Sequence, residues 1–263
     1  MISIKSSREI ELMRKTSLMA AECLDFLGQQ IQIGMTTEDL DRLAYDWIKE
    51  RGAIPAPLNY NGFPKSICTS LNDVICHGIP SKKDKVKNGD ILNIDVTTIL
   101  DGFHGDTNRT FIVGDVPERV VKLVETTYQC MIEGISTVKP GARLGDIGFA
   151  IETLANKHGF TVVQEYCGHG IGREFHEDPQ VLHYGQAGTG VTLKEGMTFT
   201  VEPMINAGKR YCKLLRDGWT VKTKDGSLSA QFEHTIVVTS EGFEILSLAP
   251  GNKGEMPNIF VCQ

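Results

Sequence analysis

The stretch Asn88–Thr107, NGDILNIDVTTILDGFHGDT, decides the fold because it has the pattern of two β-strands folded back on each other. Apolar and polar residues alternate on both sides of a short turn, as expected of half-buried strands. A turn at Leu100-Asp101 pairs Asp95 with Asp106, whereas a turn at Asp101-Gly102 moves Asp106 opposite Thr97. Both registers leave the two aspartates on one face. Neighbouring carboxylates repel each other, so on this hairpin alone two separately solvated aspartates are the simpler interpretation.

The composition is that of an ordinary globular chain. The 263 residues are 41% hydrophobic and 23% charged, which suits a single domain over residues 1–263. The net charge of −6 and the lack of a Lys/Arg cluster argue against a nucleic-acid scaffold, and no apolar run approaches the ~20 residues of a membrane span. The seven cysteines include no C-x-x-C pair, and no signal peptide is visible. We therefore expect a reduced, cytoplasmic protein without membrane contact.

Two pairs of amphipathic helices, each followed by strand patterns, set the order of elements. The first helix begins with a capping box at Ser6 and Glu9, the second is capped by Thr36 or Thr37, and the third carries Pro117 at its first position. Landmarks of the first pair recur 107 positions later: Gly34, Asp39, Gly52 and Asp95 become Gly141, Asp146, Gly159 and Glu202. We predict two half-repeats, about residues 6–113 and 117–247, packed about a pseudo-twofold axis.

Four carboxylates and one imidazole are candidates for the chemistry of the protein: Asp95, Asp106, His169, Glu202 and Glu233. The strand segments around Asp95, Glu202 and Glu233 are mainly apolar and contain no Lys or Arg. Burying an unpaired carboxylate costs several kcal/mol, so such groups are paired or bound to metal. This oxygen-rich set suits two divalent cations such as Mn(II), Fe(II) or Co(II), with zinc also admitted. Two ions about 3.5–4 Å apart would hold a bridging hydroxide, the nucleophile of a hydrolysis.

The remaining histidines divide into two groups. His77 and His176 are best explained together with His169, since neighbouring histidines supply ligation and proton transfer. The others, His104, His158, His183 and His234, are interpreted as structural or surface residues. The glycine-rich loop around His169 resembles a phosphate-binding loop only weakly, because no strand–loop–helix unit with a downstream acid follows.

A set of short motifs resembles the type I methionine aminopeptidases in their short bacterial form. The motifs are Cys76-His77-Gly78-Ile79-Pro80, Asn93-Ile94-Asp95-Val96, Gly105-Asp106-Thr107, Cys167-Gly168-His169-Gly170-Ile171-Gly172, Phe175-His176-Glu177, Phe199-Thr200-Val201-Glu202-Pro203 and Gln231-Phe232-Glu233-His234. The resemblance extends from the first helix to about residue 247. It implies an α/β (α+β) fold of the pita-bread type, in which two pairs of helices flank a curved, mostly antiparallel sheet with a pseudo-twofold internal repeat.

The resemblance also implies a function: hydrolytic removal of the initiator methionine from nascent proteins whose second residue is small. Asp95, Asp106, His169, Glu202 and Glu233 would hold two divalent ions (Co, Mn or Fe, with Zn and Ni admitted), and Asp106 with Glu233 would bridge them. Glu202 would act as general base on the bridging water, His77 would serve the scissile amide, and His176 would hold the substrate carbonyl.

Further residues are assigned by the same resemblance. The methionine side chain would lie in a pocket lined by Tyr60, Phe63, Cys68, Phe175 and Trp219. An apolar, polarisable lining suits an unbranched thioether. A monovalent cation, Na⁺ or K⁺, would be bound at Asn72, Val74 and Ser229. The family is usually monomeric, and contact with the ribosome is left open.

Three other functions compete with this interpretation. One is a creatinase-like hydrolase, which keeps the fold but not the five-ligand set. A prolidase or Xaa-Pro aminopeptidase uses the same fold but usually carries an extra N-terminal domain, for which 263 residues leave no room. A non-catalytic binding module of this fold should have lost at least one ligand or catalytic histidine, and this sequence retains all of them.

Overall fold

Four α-helices lie against a curved β-sheet in the computed structural model, which describes residues 2–248 and 255–262. The predicted single domain includes residues 1, 249–254 and 263, which lie outside the described ranges. The helices are α1 Ser7–Gln30, α2 Thr37–Glu50, α3 Glu118–Ser136 and α4 Leu144–Lys157, and a short 3₁₀ helix spans Tyr60–Gly62. The strands are β1 Ile54–Pro55, β2 Cys68–Leu71, β3 Val74–Cys76, β4 Ile91–Leu100, β5 Phe103–Val113, β6 Thr161–Val162, β7 Gly168–Gly170, β8 Glu177–Val181, β9 Thr198–Val201, β10 Met204–Asn206, β11 Cys212–Leu214, β12 Val221–Thr223, β13 Ser229–Gln231, β14 Glu233–Val238, β15 Phe243–Ile245 and β16 Phe260–Val261.

The main sheet runs in the order β1-β4-β5-β14-β9-β7-β8, and all neighbours along this path are antiparallel. Two three-stranded sheets, β13-β10-β6 and β11-β12-β3, lie beside it. This arrangement confirms the predicted mixed α/β fold with a curved, mostly antiparallel sheet and two pairs of helices.

The central hairpin adopts the second of the two predicted registers. Leu100 pairs with Phe103, so the turn is Asp101-Gly102, and Thr97 lies opposite Asp106. Both turn residues have positive φ, 53° and 78°, as a two-residue turn of this kind requires. Asp95 pairs with Asn108 and is therefore the diagonal neighbour of Asp106 on the same face.

Helix capping follows the sequence at α1 and α2. Ser6 and Glu9 form the predicted capping box of α1, and Thr36 rather than Thr37 caps α2. The prediction of Pro117 at the first helical position is wrong by one residue. Pro117 is the N-cap of α3, with an extended ψ of 146°, and Glu118 begins the helix.

The two helix pairs pack over different parts of the sheet. Helix α1 packs on β4 and β5, and α3 packs on α4 over the second half of the chain. Gly105 allows the closest approach of α1, because a Cβ there would lie 2.3 Å from Ser17 N. Two buried apolar clusters result, one under each helix pair. The division into half-repeats at about 6–113 and 117–247 stays a prediction. Every helix in the described ranges is too short or too polar to cross a membrane.

A candidate metal centre

Five neighbouring strands of the main sheet each present one of the five predicted ligand residues at the same place. Asp95 lies on β4, Asp106 on β5, Glu233 on β14 and His169 on β7, and Glu202 directly follows β9. These strands are adjacent in the order β4-β5-β14-β9-β7. The curvature of the sheet brings residues far apart in the chain together, and all five line one cavity of about 660 Å³.

Three of the five candidate ligands have donor atoms close to one another, and the other two lie beside them. One donor atom from each of Asp106, His169 and Glu233 lies within 4.8 Å of the other two. His169 Nε2 is 3.8 Å from Asp106 Oδ2 and 3.6 Å from Glu202 Oε1. The carboxyl groups of Asp95 and Asp106 are close enough to share a hydrogen bond.

Burial shifts every carboxyl pKa in the cluster upward. It raises the pKa of Asp106 to about 7 and, with the charge of Asp106 nearby, that of Glu202 to about 8. The pKa values of Asp95 and Glu233 rise well above the ordinary range, first through burial and then through neighbouring carboxylates. These shifts report an uncompensated negative cluster, since the described residues that line the cavity include no Lys or Arg.

His169 presents a lone pair to the carboxylates. Its Nδ1 lies 2.9 Å from the carbonyl oxygen of Gly170, which can only accept, so the proton is on Nδ1 and Nε2 is free to bind a metal. Burial and the neighbouring ring of His176 lower the pKa of His169 to about 3. The imidazole is therefore neutral and cannot balance the charge of the acids.

The chemistry of the donor set fits divalent cations. Asp95 Oδ1 and Glu233 Oε1 are buried without a hydrogen-bond partner in the described structure. Leaving such oxygens unpaired is costly, and a cation between them removes the cost. Four carboxylates with one imidazole are hard ligands of the type that Mn, Fe and Co prefer.

A second set of polar residues holds these carboxylates and was missed from the sequence. Thr97 Oγ1 donates to Asp106 Oδ1 (2.7 Å), and Asn108 Nδ2 donates to Glu233 Oε2 (2.9 Å). Thr200 Oγ1 donates to Glu202 Oε1 (2.7 Å), and Gln231 Nε2 donates to Glu202 Oε2 (3.1 Å).

A signal for this second set was present in the sequence. Each cluster carboxylate has a polar residue two positions away in the sequence, a spacing that places two strand residues on one face. The pairs are Asp95 with Thr97, Asp106 with Asn108, Glu202 with Thr200 and Glu233 with Gln231.

His183 has a larger role than the sequence indicated. It is fully buried, and its Nε2 accepts a hydrogen bond of 3.1 Å from the backbone N–H of Glu202. The interpretation as a structural residue holds, but its position behind Glu202 could not be read from a lone histidine. His104 stacks on Phe175 with ring centroids 5.6 Å apart, outside the carboxylate cluster.

His77 and His176 lie in the same cavity as the five ligand candidates. His176 has its ring centroid 4.2 Å from that of His169, and its Nδ1 lies 2.8 Å from the hydroxyl of Tyr60. Burial and the neighbouring histidines lower the pKa of His176 to about 4, so this ring is neutral. His77 has a left-handed backbone (φ 55°), a strained conformation often found at functional sites.

The five residues predicted to line a methionine pocket all border this cavity: Tyr60, Phe63, Cys68, Phe175 and Trp219. Phe63 packs edge-on against Trp219 with centroids 5.2 Å apart. Tyr60 packs against Phe175 at 4.9 Å. The aromatic rings thus form a wall beside the carboxylate cluster.

The residues predicted to bind a monovalent cation lie near one another beside the smaller sheets. The backbone N–H of Ser229 donates to the carbonyl oxygen of Asn72 (2.9 Å), and Val74 begins β3. Ser229 Oγ is buried without a hydrogen-bond partner in the described structure. These three residues do not border the carboxylate cavity.

Comparisons with known proteins place the chain in one family. The sequence profile of metallopeptidase family M24 matches residues 11–240. A methionine aminopeptidase of Rickettsia prowazekii is 57% identical over 250 residues, which cover 95% of this chain and 96% of that protein.

Solved structures agree with the sequence comparison. The crystal structure of the methionine aminopeptidase from Rickettsia prowazekii matches with a TM-score of 0.93, covering 94% of this chain and 100% of that one. A prolidase from Pyrococcus horikoshii shares the fold with a TM-score of 0.72 at 22% identity. The match covers 94% of this chain and 63% of the prolidase.

Proposed function

Since the chain belongs to metallopeptidase family M24 and to the methionine aminopeptidases within it, we propose that it hydrolyses the peptide bond after an N-terminal methionine. The substrates are nascent proteins whose second residue is small. One observation carries the proposal: five adjacent strands each direct a metal-binding residue into a cavity that also has an aromatic wall. The carboxylates can hold cations on one side of the cavity, while the aromatic wall binds an apolar side chain.

The metal-binding role goes to the five cluster residues. Asp106 and Glu233 would be ligands shared by two divalent cations, with Asp95 as a ligand of one and His169 and Glu202 as ligands of the other. Such ions would supply Lewis acidity towards the scissile carbonyl and a water that is acidic enough to ionise near neutral pH. Co, Mn and Fe are the proposed metals, with Zn and Ni as further candidates. Thr97, Asn108, Thr200 and Gln231 orient the carboxylates, as outer-shell partners do in metalloenzymes.

Proton transfer is assigned to side chains that touch the cavity. Glu202 accepts the proton of the attacking water, and Thr200 and Gln231 fix its two oxygens for this task. We assign to His176 the tautomer in which the Tyr60 hydroxyl donates to Nδ1 and the proton is on Nε2. In this tautomer Nε2–H donates to the substrate carbonyl oxygen as negative charge develops there. His77 serves the amide nitrogen and the leaving amine.

Recognition of methionine is assigned to the aromatic wall. Tyr60, Phe63, Cys68, Phe175 and Trp219 line the same cavity as the cluster. A flexible thioether fills such a pocket and makes favourable contacts between sulfur and ring edges. Asn72, Val74 and Ser229 are proposed to bind Na⁺ or K⁺, which would satisfy the buried hydroxyl of Ser229.

Association with ribosomes is proposed from the β11–β12 hairpin. It carries six basic residues against one acid within residues 209–224: Lys209, Arg210, Lys213, Arg216, Lys222 and Lys224, with Asp217. Trp219 of the same hairpin borders the cavity. A positive surface beside the active site would keep the enzyme near nascent chains on an anionic ribosome. This role implies a cytoplasmic protein, which we propose to act as a monomer.

Peptide hydrolysis tests the proposed function. Purified protein is stripped of metal, restored with Mn(II) or Co(II), and given Met-Gly-Met-Met beside Xaa-Pro peptides. Metal-dependent release of methionine from the first substrate is the expected result. Turnover of Xaa-Pro peptides alone would assign the chain to prolidase chemistry, and no turnover by folded, metal-loaded protein would exclude peptidase function.

A further inference from the structure

A buried carboxylate outside the metal cluster holds the segment that builds the aromatic wall. Asp41 lies in α2 and is 8% exposed. Its Oδ1 accepts hydrogen bonds from the backbone N–H groups of Ser66 (2.7 Å) and Ile67 (3.2 Å). Lys65 Nζ lies 3.9 Å from Asp41 Oδ2 and also contacts Glu38. One turn of α2, through Glu38 and Asp41, thus contacts the three consecutive residues 65–67.

Residues 65–67 are the last residues of the loop between β1 and β2, which spans residues 56–67. This loop supplies Tyr60 and Phe63 to the aromatic wall. At its start it is fixed by a hydrogen bond from Ala56 N to the carbonyl oxygen of Thr97 (2.9 Å). At its end, the hydrogen bonds that the described structure gives the amides of Ser66 and Ile67 both go to Asp41. The Asp41 carboxylate therefore fixes the position of the aromatic wall relative to the sheet.

The fold itself does not require this carboxylate. The position 107 residues after Asp41 is Gly148, in α4. A Cβ at Gly148 would lie 2.4 Å from the carbonyl oxygen of Tyr184, so a side chain there has no room. The second helix pair therefore closes on its sheet without a buried acid.

We propose that Asp41, assisted by Lys65, is a positioning residue that sets the selectivity of the enzyme for methionine at the substrate N-terminus. The inference rests on the proposed function and adds a determinant outside the cavity. Two charge-assisted hydrogen bonds from a packed helix hold the loop more firmly than solvent-exposed contacts would. When the hydrogen bonds to Asp41 are lost, Phe63 shifts against Trp219, and the pocket admits side chains of other shapes.

Three variants separate positioning from folding. Asp41→Ala removes both acceptor contacts, and we expect the ratio of kcat/KM for Met-first over Phe-first and Leu-first peptides to fall about tenfold, mainly through KM for methionine. Asp41→Asn keeps an oxygen for the two amides and restores most of the ratio. Asp46→Ala, an exposed position on the same helix, is the matched control and leaves the ratio unchanged. Affinity for Mn(II), measured by calorimetry, stays at the parent value in all three.

A second readout does not depend on activity. The protein has two tryptophans, and in a Trp47→Phe background the fluorescence reports on Trp219 alone. Asp41→Ala should increase acrylamide quenching of Trp219 in the metal-free protein, while Asp46→Ala should not. If Asp41→Ala does not fold, Lys65→Met carries the same comparison, with a smaller shift in the same direction.

The outcomes are distinct. Lower selectivity with greater Trp219 quenching and unchanged metal affinity supports the inference. The inference is overturned if the selectivity ratio is unchanged in folded Asp41→Ala, or in Lys65→Met where that variant replaces it. It is also overturned if a loss of metal affinity accounts for the loss of activity. Failure of the parent protein to release methionine from any peptide counts against the proposed function instead, and the quenching comparison still reports whether Asp41 holds the loop.

Discussion

Thr97 and Asp106 face each other across the β4–β5 hairpin, and the Thr97 hydroxyl donates a hydrogen bond of 2.7 Å to Asp106 Oδ1. This contact exists because the turn lies at Asp101-Gly102. With the other register, Asp95 and Asp106 would have been direct partners, and both carboxylates would have lacked this donor. The hairpin register therefore determines which oxygen of Asp106 is occupied by the protein and which remains available to a metal.

Removing this donor should weaken metal binding. For Thr97→Val we expect the affinity for Mn(II) to fall about 10- to 100-fold, the usual effect of losing an outer-shell hydrogen bond. Titration calorimetry measures it directly. Thr98→Val is the control, because Thr98 lies on the opposite face of the strand and donates to Thr16 O. Thr98→Val should lower thermal stability and leave metal affinity unchanged. Equal affinities for Mn(II) in Thr97→Val and Thr98→Val would contradict this role of Thr97.

The Tyr60 hydroxyl should matter for turnover more than for binding. A neutral imidazole has one N–H, and a hydroxyl that donates to Nδ1 of His176 leaves the proton on Nε2 for the substrate. Tyr60→Phe keeps the packing on Phe175 but frees the tautomer, so we expect kcat to fall about tenfold with little change in KM. Steady-state kinetics on Met-Gly-Met-Met provide the measurement, with the exposed Tyr45→Phe as control. A change confined to KM would argue against the assignment.

The metal-free protein should lose stability as the pH rises. The folded pKa values of Asp106 and Glu202, about 7 and about 8, exceed their unfolded values near 4. The folded state therefore holds the extra protons, and the stability they give is lost as pH rises through the folded pKa values. Each proton that the folded state retains and the unfolded state releases costs about 1.4 kcal/mol of stability per pH unit.

Thermal melts between about pH 7 and 8 isolate this effect, because histidines with an unfolded pKa near 6.5 are then mostly neutral in both states. The Tm of the metal-free protein should fall across this range, and Mn(II) should abolish the dependence by replacing the protons. Asp95→Asn should raise the Tm of the metal-free protein at the upper end, since it removes one of the repelling charges. A Tm that is flat or rises without metal would show that the carboxylates are not mutually destabilising.

The positive charge on the β11–β12 hairpin should affect association with ribosomes but not peptide hydrolysis. Lys213 and Lys224 are exposed, and their double replacement by Glu should reduce co-sedimentation with ribosomes about tenfold at low salt. Hydrolysis of short peptides should not change. The same double replacement at the exposed Lys15 and Lys122 is the control. Equal losses in both double variants would indicate an effect of net charge instead of a docking surface.

Much of this arrangement could be predicted from the chain because local signals and function coincide. The helix pairs follow from apolar spacing and capping residues such as Ser6 and Thr36. The acids in apolar strands identified the cluster because an unpaired buried charge is too costly to retain without a partner.

What could not be predicted depends on contacts between distant segments. The choice between the two hairpin registers required the fold, although Asp101-Gly102 was the better turn dipeptide. The bond from Asp41 to Ser66 and Ile67 joins a helix to a loop 25 positions away, and no local pattern marks it. The six basic residues of the β11–β12 hairpin all lie within residues 209–224, but most are separated by uncharged residues, so they form no uninterrupted basic run.

The central claim is that the carboxylate–histidine cluster is the metal centre that hydrolyses the substrate. Titration of Mn(II) into metal-free protein while methionine release from Met-Gly-Met-Met is followed tests it most directly, with Glu202→Gln in parallel. The account predicts that release rises with bound Mn(II) and that Glu202→Gln, folded and metal-loaded, loses activity about 100-fold or more. Activity in the parent that is independent of metal, or a Glu202→Gln variant as active as the parent, would contradict it.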